Sequence, residues 1–132
     1  MGFEEIPHTA DWAVHVWADD LAGLLAESAR AMNALTGTRP AEGRRVRRRF
    51  KAEGADAESL LVVFLTELVY AAEQENLGFD TFDIRVSDKR ISAIMEGAPI
   101  ASMDKAIKAV TYHNLKIEKT ARGYEVEIVF DV

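Results

Sequence analysis

Leu115-Lys116-Ile117-Glu118-Lys119, a turn at Arg122-Gly123, and Tyr124-Glu125-Val126-Glu127-Ile128-Val129-Phe130 form the stretch that decides the fold. Two apolar-rich runs separated by a glycine turn read as an antiparallel hairpin, the clearest local signal in the chain. Just ahead, Val110-Thr111-Tyr112 reads as a further short strand. Phe79 to Val86 and Arg90 to Glu96 read as two more, joined by Ser87-Asp88-Lys89. From residue 79 onward the chain is a run of strands.

Working outward, a helix starts near Asp56 and passes through Glu58-Ser59-Leu60-Leu61-Val62-Val63-Phe64-Leu65 to about Asn76. It is apolar over much of its circumference, which predicts a central buried helix. Arg44 to Ala52 alternates: Val46 and Phe50 are apolar, Arg45, Arg47, Arg49 and Lys51 take the opposite parity, and Arg48 interrupts the apolar side. Thr38 to Gly43, with Pro40, reads as a loop. Before it, Leu21, Leu24, Leu25, Met32 and Leu35 share one helical face, with Asp19 or Asp20 as cap and Gly37 as stop. Phe3 to His8 and Trp12 to Ala18 read as strands around His8-Thr9-Ala10-Asp11. The order defines an α+β fold, two helices packed on largely antiparallel sheet in a single domain over residues 1–132. Asp131-Val132 directly follows the last strand, so that end is expected to be tied into a sheet.

At 132 residues with 48% hydrophobic and 29% charged side chains, the chain can build a core without disulfides or structural metal. It has no Cys, which removes thiolate ligands, thiol nucleophiles and redox switching. Met1-Gly2-Phe3-Glu4-Glu5 is acidic where a secretory signal would be basic and then apolar. The most apolar run, Leu60 to Ala72, is interrupted by Thr66 and Glu67 and is too short to span a bilayer. A soluble, cytoplasmic protein without membrane partners is expected. A net charge of −6 argues against a broad electrostatic grip on nucleic acid, so contact with RNA is expected through a partner.

No phosphate-binding glycine loop, serine nucleophile elbow or zinc-type histidine spacing occurs. Asp11 and Asp131 stand out instead, because paired first and last strands would bring their carboxylates and that of the terminus together. Hard oxygens of that kind suit Ca²⁺ or Mg²⁺. Spacing alone leaves this open against strand-end aspartates that are solvated or cap turns. Lys108 opens Lys108-Ala109-Val110-Thr111-Tyr112-His113 and, by itself, reads as a solvated lysine. His113 offers an imidazole for general-base or ligand chemistry but also reads as a structural hydrogen-bonding residue. Arg44-Arg45-Val46-Arg47-Arg48-Arg49 has the composition of a phosphate-binding strip. With no aromatic stacking platform beside it, a solvated, edge-protecting strand face is the favoured reading. Trp12 and Trp17 lie on opposite parities, so at most one is expected to be exposed.

Four blocks together resemble the archease family. They are His8-Thr9-Ala10-Asp11; Glu58-Ser59-Leu60-Leu61 through Glu67-Leu68-Val69-Tyr70; Lys108-Ala109-Val110-Thr111-Tyr112-His113; and Val129-Phe130-Asp131-Val132. Order and separations agree along essentially the whole chain. The resemblance implies a non-enzymatic activator of the RtcB-type RNA ligase, one that promotes the covalent ligase–GMP intermediate and repeated turnover in tRNA splicing and RNA repair. It also implies a bound divalent cation, Ca²⁺ or Mg²⁺, near the ligase-facing tip. By position, Asp11 and Asp131 match the acidic metal ligands, Val132 the terminal ligand position, and Lys108 a basic residue needed for activation. His8 and His113 are not among the ligands.

The sequence departs from the family pattern at Trp12, where a smaller aliphatic is common. It does so again at Asn114, where an acidic residue often stands, and at Phe64-Leu65-Thr66, where Trp-Leu-Asn is frequent. Two other roles remain open: chaperone or specificity modulator of a tRNA methyltransferase, and metal-dependent hydrolysis at Asp11 and Asp131. The second lacks an evident base or nucleophile.

Overall fold

A computed structural model describes residues 1–6 and 12–132 of the chain. The described strands form two sheets, every pairing is antiparallel, and two helices cover them. β1 (Gly2–Ile6) pairs with β2 (Trp12–Ala18), which leads into α1 (Leu21–Thr36). β3 (Arg39–Pro40) and β4 (Val46–Glu53) precede α2 (Ala57–Glu75). β5 (Leu77–Ser87), β6 (Arg90–Ser102), β7 (Ala109–Val110), β8 (Glu118–Thr120) and β9 (Gly123–Asp131) complete the order.

Both helix starts follow from a carboxylate over free amides. Asp20 Oδ1 accepts from Gly23 N at 2.7 Å, and Asp56 Oδ1 from Ser59 N at 2.8 Å. The Ser59 amide is the main reason the Asp56 carboxyl sits below the usual range. α1 stops at Gly37, whose φ of +65° is left-handed, and α2 at Asn76 with φ +54°.

The first sheet runs β1-β2-β9, with β7 and β8 pairing successive parts of β9. Val14, Val16 and Ala18 face the core beside Ile128, Val126 and Tyr124. On the opposite face His15 meets Glu125 at 2.7 Å, and the Arg122 guanidinium lies 4.5 Å from the Trp17 ring. Neither tryptophan is fully exposed: Trp12 packs on the core and Trp17 is half-covered on the other face.

In the second sheet β6 is central. β5 pairs it through a tight turn at Asp88-Lys89, β4 pairs Val46–Glu53 against Arg90–Gly97, and Arg39-Pro40 extends the pairing near Ile100 and Ser102. At a bulge, Phe79 opposes Gly97 and Thr81 opposes Glu96, leaving Asp80 outside the ladder. A Cβ on Gly97 would lie 1.9 Å from Gly78 O, so only glycine admits that approach.

α2 buries Leu60, Leu61, Phe64, Leu65 and Leu68, as expected of a core helix. It shares the centre, because α1 is buried as deeply through small residues such as Ser28, Ala29 and Ala31. Phe64 meets Phe50 at a tilt and Phe82 edge-on, fastening α2 to the second sheet.

Three expectations need correction. Pro40, read as loop, belongs to a short bulged strand, a place that tolerates its missing N–H. The strand expected at Val110-Thr111-Tyr112 stops at Val110, because Leu115 N turns back to Tyr112 O at 3.0 Å. The strand expected from Leu115 begins only at Glu118, because the Ile117 amide donates to the Glu58 carboxylate at 2.8 Å, not to a neighbouring strand.

Candidate functional site

The Lys108 block and the Asp131 block meet at one end of the first sheet. Ala109 stands opposite Asp131, and Val110 opposite Phe130. Lys108 N donates to Asp131 O at 2.8 Å. Thr111 doubles the attachment, its amide reaching Val129 O at 3.1 Å and its hydroxyl the same oxygen at 2.9 Å. The Lys108 backbone is thus held by the strand that carries Asp131, while the Lys108 and Asp131 side chains are both exposed. Val132 is half-buried against the core.

On the other side of β9, Trp12 opposes Phe130, so β2 begins beside the residue that precedes Asp131. The first and last strands are not paired as expected: β2 lies between β1 and β9, so the last strand's neighbour is the second strand. Asp11, with His8, lies outside the described residues. Among the described residues there is no group of three or more His, Cys, Asp or Glu side chains placed to hold a metal. Ion pairs among those residues use other carboxylates than that of Asp131. The Asp131 carboxylate is exposed, and its backbone oxygen is taken by Lys108 N.

Glu58 has no role that the sequence alone reveals. By accepting from the Ile117 amide it ties the first turn of α2 to the segment between β7 and β8. Lys105, which also escaped notice, places its ammonium 5.6 Å from the Trp12 ring and adds positive charge beside the start of β2. The segment leading into Lys108 is fixed at its other end by Thr36 O, which accepts from Asp104 N at 2.8 Å and Lys105 N at 3.2 Å. Behind it, a cleft of about 360 Å³ opens between α1 and α2, lined by Met32, Leu68, Phe79, Ile107 and Lys108. His113 lies apart, exposed, its ring 3.3 Å from the Asn114 amide nitrogen.

An α+β domain with a lysine and a carboxylate presented at one sheet end is the class defined so far. Residues 3–132 match the Archease protein family (MTH1598/TM1083). The archease of Methanopyrus kandleri is 33% identical over the full length of both chains. That of Methanosarcina barkeri is 33% identical, covering 98% of this chain and 95% of its own. Among solved structures, protein 1598 of Methanobacterium thermoautotrophicum superposes with a TM-score of 0.71 at 22% identity, covering 99% of each chain. An archease from Thermotoga maritima, described as a possible chaperone, gives 0.73 at 19% identity, covering 98% of this chain and 96% of its own. The chain belongs to the archease family. No helix among the described residues is long and apolar enough to cross a membrane.

Proposed function

We propose that this protein is a non-enzymatic, cytoplasmic activator of the RtcB-type RNA ligase, promoting ligase guanylylation in tRNA splicing and RNA repair. The observation that carries the reading is the backbone bond from Lys108 N to Asp131 O, which holds the proposed activating lysine beside a proposed metal ligand. Asp11 and Asp131, with the terminal position at Val132, are the donors for a divalent cation. When bound, that cation supplies positive charge for phosphate oxygens. Lys108 is exposed, and among the described residues its side chain has no hydrogen bond or ion pair, which leaves its ammonium available to the same phosphates. The nucleophile belongs to the ligase, so this chain needs none.

The test is ligase guanylylation with labelled GTP, the ligase of the same organism, and this protein present or absent. Covalent ligase–GMP should rise when it is present, and Lys108→Ala or Asp131→Ala should reduce that rise at least about tenfold. Intact activation by Asp11→Ala and Asp131→Ala would remove the metal from the mechanism. No rise with a competent, unsaturated ligase would move the protein to a second reading, chaperone of a tRNA methyltransferase. The description of the Thermotoga maritima relative as a possible chaperone favours that alternative. It predicts a stable complex and altered methylation-site choice.

A further inference from the structure

The outward face of the second sheet is set by the alternation of β4. Arg47, Arg49 and Lys51 are exposed, while Phe50 and Ala52 pack toward the core. Register aligns three rows across β4, β6 and β5: Arg47 with Glu96 and Thr81, Arg49 with Ile94 and Asp83, Lys51 with Ser92 and Arg85. The buried residues of β6, Ile91, Ala93 and Met95, are of the opposite parity and belong to the core beneath the helices. The face bearing the arginines is therefore the one turned away from that core.

Neighbouring arginines are engaged within the protein. Arg45 pairs with Asp80, Arg48 with Glu75, and Arg90 with Glu53 at 2.9 Å. Arg47, Arg49, Lys51 and Arg85 have no ion-pair partner among the described residues. Alternate residues on one strand stand about 6.6 Å apart, so the β4 row spans about 13 Å. Lys51 and Arg85, separated by two strand spacings, are about 10 Å apart. The three β4 cations lie along a line and match successive phosphates of an extended chain, with Arg85 to one side, whereas a single phosphate needs convergent donors.

We infer that this face binds the phosphate backbone of single-stranded RNA through Arg47, Arg49, Lys51 and Arg85. The remaining members of the three rows, Thr81, Asp83, Ser92, Ile94 and Glu96, include no aromatic ring. Binding is consequently independent of sequence and carried by phosphate contacts. Asp83 and Glu96 oppose the anion, so the contact is weak and sensitive to salt. The overall charge of −6 points to indirect RNA contact, but the four unpaired cations share one face. Protection of the edge strand also explains charged residues on β4. Charge reversal separates the two explanations, since glutamates guard an edge as arginines do but repel phosphate.

The experiment is fluorescence anisotropy of the full chain with labelled oligouridylate of about 20 nucleotides, across about 25–150 mM KCl. Four phosphate contacts predict a slope of log K against log salt of about −2.8. Arg47→Glu/Arg49→Glu/Lys51→Glu should weaken binding at least about tenfold and flatten the slope toward about −0.7. Circular dichroism confirms that this variant is folded. If it is not, Asp83→Asn/Glu96→Gln decides, with tighter binding expected. The inference is overturned by salt-insensitive binding, by unchanged affinity in the reversed or neutralised face, or by equal competition from polyglutamate at matched charge. That last result would reassign the face to acidic protein segments.

Discussion

The two sheets are put together from different distances along the chain. In the second, β5 and β6 are consecutive and turn at Asp88-Lys89, and β4 joins them across one helix. In the first, β2 pairs with β9, bringing Trp12 to Phe130 and Ala18 to Tyr124. Closing a long loop costs more entropy and must be compensated by burial. Val14, Val16, Val126 and Ile128, all buried, supply it. Local pairing follows from turns, whereas long-range pairing follows only from a shared core. The candidate site stands on the long-range sheet and the basic face on the local one.

Phe64→Ala should disturb this contrast most. Its ring touches Phe50 and Phe82 of the second sheet, and its removal should cost about 3–5 kcal/mol in chemical denaturation. Amide exchange should accelerate more in β4 and β5 than in β2 and β9, showing that the sheets open separately. Equal acceleration would mean a single cooperative unit.

Gly123→Ala tests the first sheet. Gly123 has a φ of +99°, and its Cβ would approach Ala18 O to 2.4 Å, so about 1–3 kcal/mol should be lost. Exchange should rise where β2, β8 and β9 meet. A neutral result would mean that the turn relaxes without disturbing the β2 contact.

The smallest effect belongs to Asp80 in the bulge of the second sheet. A hydrogen bond from Arg45 is the main cause holding its carboxyl below the usual range, opposed by partial burial. A carboxyl lowered in the folded state stabilises above its unfolded pKa of about 4, and that contribution disappears as pH falls through the lower folded value. Asp80→Asn should therefore lower Tm slightly near neutrality, by less than about 1 kcal/mol equivalent. The difference from wild type should shrink as pH falls below about 4. A gap that persists in acid would assign the effect to bulge geometry.

The legible parts were those governed by nearest neighbours. A cap at Asp19 or Asp20, the stop at Gly37, a helix from near Asp56 to about Asn76 and the alternation of β4 all follow from short-range chemistry, and the structure puts the caps at Asp20 and Asp56. Strand lengths were less legible. β6 continues through Gly97-Ala98-Pro99 to Ser102, where apolar alternation fades and only the partners, Leu77 and Pro40 among them, keep it extended. The stretch after Val110 misled because a helix carboxylate, Glu58, takes the Ile117 amide that a strand neighbour would otherwise bond. At the candidate site, the blocks containing Lys108 and Asp131 could be picked out by resemblance. Their junction through Lys108 N and Asp131 O could not, since no local pattern encodes which carbonyl a distant amide will find.

β9 lies between β2 on one side and β7 and β8 on the other, yet it follows all the other described strands in the chain. During synthesis, the second sheet and both helices can leave the ribosome and pack while β2 still lacks its neighbour. The apolar row of Val14 and Val16 must wait, and the first sheet closes only after Gly123–Asp131 has emerged. Lys108 and Asp131 come together in that same step, so a nascent or truncated chain lacking β9 would contain Lys108 without the strand that anchors it.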